Sequence, residues 1–573
     1  MKSKKMLASL LAVTMVASVG LVGCGNKDDS GNAKKDTEGT ASKTDELDAE
    51  QHLSVIFNEE PKTVDPSKAT DLYSSQITTN TQEALTRISE DENGNDTIVP
   101  GMAEKWDTSA DGLTWTFHLR EAQWSDGQPV KASDYVYAVL RTLNPDTASS
   151  YAFLLSPLKN ADEYNGGKAS ADDVGIKAKD DKTLEITLKN PCPYFLKLTY
   201  FKVFSPQRKD IVEQYGETFG TEANTLVFSG PFVMKEWVHN SKVELVKNDK
   251  YWDADNVKLD SVSMNIIAEQ NSRMQSLYNG SVDIGAVSKP EWIEKLDGTN
   301  DFDVLKKYGG DVTYTLFNEA EEYNGEKNIF SNKKVRQAFA IAQDREKKIE
   351  VLRKGIGEPA YAWIPPMITI NEKEYRDQYT DLPIKDLMEK NPDPKALLIE
   401  GLKELGLDED PSKVTVHFLY AGTDTQAKEW AEYEQQEYQE KLGINLEIEY
   451  VEWAQFSTRV DELDYQMGSQ AWGGDYDDPS TFLEFIVSDT GMCPTGWVNK
   501  EYDDLVTKAA SETDGQKRAD MYHDAEKILL DECSVIPECW RTTNTYKRKC
   551  VKGYVAPIFG TSDYKGVYIS GRK

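Results

Sequence analysis

Residues 414–450 constrain the fold most tightly. Val414-Thr-Val416-His-Phe418-Leu-Tyr420 alternates apolar and polar residues, as a half-buried strand does. Thr425 to Leu442 then reads as a helix, closed by Gly443. Ile444-Asn-Leu446-Glu-Ile448-Glu-Tyr450 alternates again. Strand, helix, strand in this order is a βαβ unit, which requires a parallel pair. Tyr465 to Ala471 reads as a third strand. In open α/β sheets, ligands bind beyond the carboxyl ends of the strands. Trp453 follows the second strand and Trp472-Gly473-Gly474-Asp475 follows the third, so both places are candidates on geometry alone.

The segment after the third strand, WGGDYDDPSTFLEFI, crowds three aspartates between a glycine pair and an apolar run. Asp478-Pro479 has the form of a helix start, with Asp as cap and Pro in the first turn. Asp477 is expected to be solvated. Asp475 ends a buried strand, where a carboxylate needs a positive partner. That partner is either a fixed Arg or Lys of the chain or the ammonium group of a ligand. The acids do not follow the spacing of an EF-hand loop, so calcium is disfavoured.

Elsewhere, alternation marks strands at Leu113–Leu119, Thr183–Leu188 and Val243–Val246, and a helix is expected over Asp134–Leu143. Ser331 can cap one helix carrying Val335, Ala338, Phe339 and Ala342, ended by Gly355. Asp393-Pro394 opens another, with Leu398, Leu402 and Leu405 on one stripe and Gly406 closing it. The chain has 573 residues, too many for one hydrophobic core, so two or more domains or lobes are expected. Its 66 basic and 98 acidic residues give a net charge of −32. Such a surface repels phosphate backbones, which argues against nucleic acid as a partner. Tyr (28) and Trp (12) are plentiful, and flat aromatic walls suit ligand clefts.

The amino terminus reads as an export signal, with an uncleaved anchor helix as the alternative. Lys2, Lys4 and Lys5 precede an uncharged run from Met6 to Val22, ending in Leu21-Val22-Gly23-Cys24. This resembles a bacterial lipobox, in which the cysteine thiol is lipidated and becomes the new N-terminus. Cleavage before Cys24 would remove three lysines and take the net charge from −32 to −35. Between Gly25 and Glu50, Leu47 is the only large apolar residue, so residues 24–50 are expected to be a disordered tether. Its r.m.s. reach is about 28 Å at about 5–6 Å × √n. The other five cysteines, Cys192, Cys493, Cys533, Cys539 and Cys550, lack zinc spacing and read mostly as small buried residues. One disulfide among the last four is an open option.

No constellation for covalent chemistry stands out. Gly-x-Ser-x-Gly, His-Glu-x-x-His, Walker and Gly-x-Gly-x-x-Gly motifs are absent, and the five histidines have no ligand spacing. No cofactor or metal is implied.

Several segments carry a family resemblance. They are Asn58 to Pro66, GLTWTFHLREAQWSDGQPVKASDYVYAVLRTLNP (Gly112 to Pro145), FSGPFVMKEW, KNDKYWDA, NSRMQSLYNGSVDIG, NKKVRQAFAIAQDREK and Trp472 to Pro479. From about Leu53 to near the C-terminus, the chain resembles the extracellular solute-binding proteins of peptide ABC transporters, of the oligopeptide-binding type. That resemblance implies an α/β, two-lobed periplasmic-binding-protein-like fold of class II. It implies the extra domain of large peptide binders and a hinge between lobes. The expected division is residues 51–86, 211–311 and 543–573 in lobe I, 87–210 in the extra domain, and 312–542 in lobe II.

The resemblance also implies short peptides as ligands and ABC permease subunits with their ATPases as partners. A monomer tied to the membrane through lipidated Cys24 is expected. Peptide binders of this type hold the ligand's α-ammonium with the Asp of a Trp-x-x-Asp-Tyr-x-x-Pro segment, here Asp475. Gly473 matches a position that uses its backbone, and Trp472 belongs to the same segment. Tyr151 matches a ligand-touching tyrosine, and Trp453 a pocket tryptophan. Thr70 to Leu72 matches an edge that pairs with the ligand backbone. Ser469 stands where some oligopeptide binders place an Arg near the ligand's carboxylate, which leaves length readout open. Binders of nickel complexes or sugars, and sensing lipoproteins, are competing readings.

Overall fold

The computed structural model describes residues 46–572 apart from 92, 93, 95, 424 and 489–492. The signal segment, Cys24 and most of the expected tether lie outside the described residues. The tether was expected to run to residue 50, yet residues 46–50 are docked. Asp48 N–H donates to the Ile569 carbonyl at 3.0 Å, and its carboxylate accepts from Gly571 and Arg572 N–H.

One large mixed sheet organises the described chain. Its strands are β1 (His52–Phe57), β2 (Phe232–Val238), β3 (Lys242–Lys247), β4 (Ser261–Ile266) and β5 (Ile284–Ala286), then β6 (Phe302–Phe317), β7 (Thr415–Ala421), β8 (Asn445–Val451), β9 (Met467–Gly473) and β10 (Val535–Arg548). Their order is β8-β7-β9-β6-β10-β5-β1-β4-β3-β2. The short segment Glu358–Pro359 adds to β10.

The βαβ unit forms as its periodicity dictates. β7 and β8 pair in parallel across the helix Thr425–Leu442, and β9 joins the other side of β7, also parallel. β6 and β10 are long antiparallel partners, running from Phe302↔Arg548 to Leu316↔Val535. Their pairing is interrupted between Tyr308 and Val312, where Gly310 adopts φ +64°. Such a bulge bends a strand and sharpens its twist. It falls between two apolar cores, one of residues 274–302 with Tyr546 and one largely of residues 312–540.

A separate four-stranded antiparallel sheet runs Ala103–Thr108, Thr114–Leu119, Thr183–Thr187, Ile176–Asp180. The helix Ala132–Leu143 packs on it and buries Tyr135, Val139 and Leu143 into a core with Phe117, Leu184 and Ile186. A further core gathers Leu53, Val55, Phe232, Leu245, Val262 and Ile569 around β1 to β4. Four separate cores among the described residues fit the limit that surface-to-volume scaling sets on a single one.

The single helix expected from Ser331 to Gly355 is two. Asn332, not Ser331, caps Lys333–Ala342, and Asp344 caps Arg345–Arg353. The break is held from outside, because Glu437 accepts from Asp344 N–H at 2.7 Å and Gln343 donates to Tyr438. Asp393 does cap Pro394–Glu404 as expected, with Gly406 past its end at φ +72°. All five described cysteines are buried and free, so the optional disulfide is not formed.

Candidate functional site

The site is built on the unequal edges of β9. Along one edge, β9 pairs with β6 over its whole length, from Phe317↔Met467 to Asp311↔Gly473. Along the other, pairing with β7 covers only Met467, Gly468 and Ser469. Among the described residues, no strand pairs with that edge from Gln470 to Gly473. Unpaired N–H and C=O groups in a row are a template for another strand. Trp472 and Gly473 were expected past the strand but lie inside it. Asp475 follows two residues beyond.

Local packing fixes that turn. Gly474 donates to the Gly310 carbonyl at 3.0 Å, and a Cβ on it would meet Phe482 at 2.8 Å and Phe559 at 2.9 Å. Only glycine fits. Gly473 has ordinary room, 3.8 Å to the Asp311 Cβ. Trp472 stacks on Phe485 at 4.0 Å between centroids and donates its indole N–H to the Thr481 carbonyl. It therefore braces the turn, and it lines neither cavity described below.

Asp475 opens into a cavity of 280 Å³, lined also by Thr70, Asp71, Leu72, Tyr151 and Lys202. At about 30 Å³ per water, this is space for roughly nine waters. The Asp475 N–H donates to Thr481 Oγ1 at 3.0 Å, but its carboxylate has neither a hydrogen bond nor an ion pair among the described residues. Desolvation pushes its pKa up to about 6, and Lys202 pulls it part of the way back. A carboxylate so placed lacks a counter-ion. Of the two partners open to it on sequence, no fixed Arg or Lys among the described residues forms the ion pair.

The other two aspartates are committed to the frame. Asp477 was expected to be solvated and is instead buried. It accepts from Lys197 Nζ at 2.7 Å, from Thr369 N–H at 2.6 Å and from the Thr369 hydroxyl. Asp478 accepts from Ser480 N–H at 3.0 Å, but the expected cap is displaced: the helix Ser480–Leu483 has Pro479, not Asp478, at its N-cap, with no side-chain cap bond. Asp478 also takes both terminal nitrogens of buried Arg518, at 2.8 and 2.6 Å. Tyr476 stacks on Tyr194 at 4.9 Å and so joins the core of residues 85–204.

Thr70 and Leu72 do not form a strand edge. Asp71 caps the helix Leu72–Thr81 between them, and both side chains are exposed at the cavity wall. Tyr151 is half-buried in that wall, its hydroxyl pKa raised to about 12 by burial and by Asp475 and Asp71. Trp453 lies elsewhere. It is 57% exposed, stacks on Phe456, and lines a second cavity of 230 Å³ beside Ser469, Gln470 and Ala471. The two cavities thus lie at opposite ends of the unpaired β9 edge.

The second cavity holds residues that pattern reading passed over. Arg353 stands over the Trp430 ring at 4.7 Å, and Arg541 pairs with Asp311 at 2.6 Å. Lys348 bridges Glu434 and Glu538, each at 2.6 Å. Lys202 was also missed, although a lone lysine inside Tyr200-Phe201-Lys202-Val203-Phe204 was a usable signal. Among the described residues, no cluster of His, Cys, Asp and Glu could hold a metal ion.

The profile described as bacterial extracellular solute-binding proteins, family 5 Middle, matches residues 97–493. The oligopeptide-binding protein OppA of Bacillus subtilis strain 168 is 32% identical over 99% of this chain and 100% of its own. Dipeptide-binding protein DppE of the same strain is 33% identical over 97% of each chain. Listeria monocytogenes OppA bound to peptide superposes with a TM-score of 0.74 at 30% identity, covering 92% of this chain and 100% of that one.

The architecture is therefore α/β and two-lobed, a class II periplasmic-binding fold with the extra domain of large peptide binders and a hinge between lobes. That defines a solute-binding protein. The chain belongs to family 5 of the bacterial extracellular solute-binding proteins.

Proposed function

We propose that the protein is a lipid-anchored receptor that captures short peptides between its lobes and delivers them to an ABC permease. The observation that carries this reading is the partnerless Asp475 carboxylate at the end of the unpaired Gln470–Gly473 edge. An extended peptide would add to that edge through main-chain hydrogen bonds. At about 3.4 Å per residue, the edge accommodates about three or four ligand residues. The ligand's α-ammonium pairs with Asp475, beside Tyr151, Thr70 and Leu72. A side chain further along enters the cavity of Trp453. Arg353 stands where a ligand carboxylate would end, a role Ser469 cannot fill.

Binding and lobe closure are the whole mechanism, with no covalent step. Lobe I comprises 51–86, 211–311 and 543–573, the extra domain 87–210, and lobe II 312–542. Closure is held by Lys197 on Asp477 and Tyr194 on Tyr476, which join the extra domain to lobe II. Lipidation of Cys24 keeps the receptor beside its permease. A neutral sugar would offer Asp475 hydroxyl donors but no counter-charge, which disfavours that alternative.

The test is mass spectrometry of what co-purifies with residues 46–573. A set of short peptides is expected. A single sugar, a metal complex or an empty protein under native conditions would overturn the peptide assignment.

A further inference from the structure

The charges that line the Asp475 cavity can be accounted for one by one. Arg87 is paired with Glu83 at 2.6 Å and with Asp563 at 2.8 Å. Asp71 is spent on the cap of the helix Leu72–Thr81, accepting from Ser74 N–H at 2.8 Å and from the Ser74 hydroxyl. Asp71, Asp475 and Lys202 are each without an ion-pair partner within 4 Å among the described residues, and of the two carboxylates only that of Asp71 is held by hydrogen bonds.

Lys202 is a built feature of the wall. It opens the short turn Lys202–Phe204, packed among aromatic residues, and is only 8% exposed. One of its three donors goes to Ser75 Oγ at 3.0 Å, and its ammonium lies 4.0 Å from the Tyr151 ring centroid. Desolvation lowers its pKa to about 8, with Asp475 and Asp71 opposing, so it is still charged at neutral pH. Its remaining donors are open to cavity water or to a ligand acceptor.

We propose that Lys202 makes this receptor select peptides whose first residue is acidic, Glu or Asp. The proposal rests on the peptide-capture reading above. One cavity presenting a carboxylate and an ammonium that do not pair with each other is complementary to a ligand end carrying both charges. The α-ammonium meets Asp475, and the first side-chain carboxylate meets Lys202. A Gln first residue offers only a neutral acceptor, and a Lys first residue brings like charge to Lys202.

The experiment is calorimetric titration of ligand-free protein with Glu-Ala-Ala-Ala, Gln-Ala-Ala-Ala, Lys-Ala-Ala-Ala and acetyl-Gln-Ala-Ala-Ala. Glu-first should bind about tenfold or more tighter than Gln-first, as a charge-assisted bond should give, with Lys-first weakest. In Lys202→Met the Glu-to-Gln ratio should fall to near one, while Lys202→Arg retains a preference. The wild-type ratio should also collapse as pH rises from 7 past about 9, where Lys202 loses its charge. Equal binding of Glu-first and Gln-first peptides by the wild-type protein would overturn the proposal, and this comparison needs no variant to fold. A ratio unchanged by Lys202→Met would overturn it too. The capture reading fails by a separate result, equal binding of the acetylated and free Gln peptides.

Discussion

Asp475→Asn isolates the charge on which peptide capture depends. The side chain has no hydrogen bond to lose among the described residues, and the backbone bond from Asp475 N–H to Thr481 Oγ1 survives the change. What disappears is one charge-assisted contact to the ligand ammonium, about 1.5–3 kcal/mol or roughly 10- to 150-fold in Kd. Titration calorimetry with a free-amino tetrapeptide at pH 7.5 reads this directly. The wild-type site should also weaken in acid. With a pKa near 6, only about a tenth of Asp475 is ionised at pH 5, so affinity should fall about tenfold between pH 7.5 and 5.

Asp96, whose pKa burial also raises to about 6, titrates in the same range. The variant separates the two, because its affinity should be flat if Asp475 is the responsible group. Stability moves the opposite way. A carboxylate whose folded pKa lies above its unfolded value binds protons more tightly when folded. Ionising Asp475 therefore costs the empty protein stability above about pH 4, and the cost vanishes below it. Asp475→Asn should raise the melting temperature of the empty protein at pH 7, with the gain fading as pH falls toward 4. Affinity within about twofold of wild type, or a flat wild-type profile from pH 7.5 to 5, would refute the ammonium assignment.

Arg518→Met leaves the Asp478 carboxylate buried without its bidentate partner and should cost about 3–5 kcal/mol in denaturant unfolding. Lys197→Ala removes the bonds to Asp477 and Thr369, so peptide affinity should fall and the small-angle scattering radius of the liganded protein should rise. Trp453→Ala should change stability by less than about 0.5 kcal/mol, as an exposed side chain does, while weakening peptides that place an aromatic residue in its cavity. Cys24→Ala in the full-length chain should move the protein from the detergent phase to the aqueous phase on Triton X-114 partition, if lipidation is the anchor.

The segment 414–450 was legible because each element announces itself locally. Alternation of Val416, Phe418 and Tyr420 needs only a strand with one buried face, and the helix Thr425–Leu442 has the bounds its pattern gave. The same locality explains the failures. The helix expected across 331–355 breaks at Gln343-Asp344 because Tyr438 and Glu437, on another helix, supply better partners. Asp477 read as a surface acid because its counter-ion, Lys197, lies 280 residues upstream.

By itself, the sequence determined the alternating strands, the helix caps such as Asp393, the family, and the candidacy of Asp475. Tertiary structure decided which charges meet. It gave Arg518 to Asp478 and Lys197 to Asp477 and left Asp475 facing Lys202 across a cavity. It also decided that β7 stops pairing at Ser469 and leaves the Gln470–Gly473 edge open. Periodicity is written in neighbours a few residues apart, whereas a carboxylate's partner and a strand's free edge depend on chain that arrives from far away.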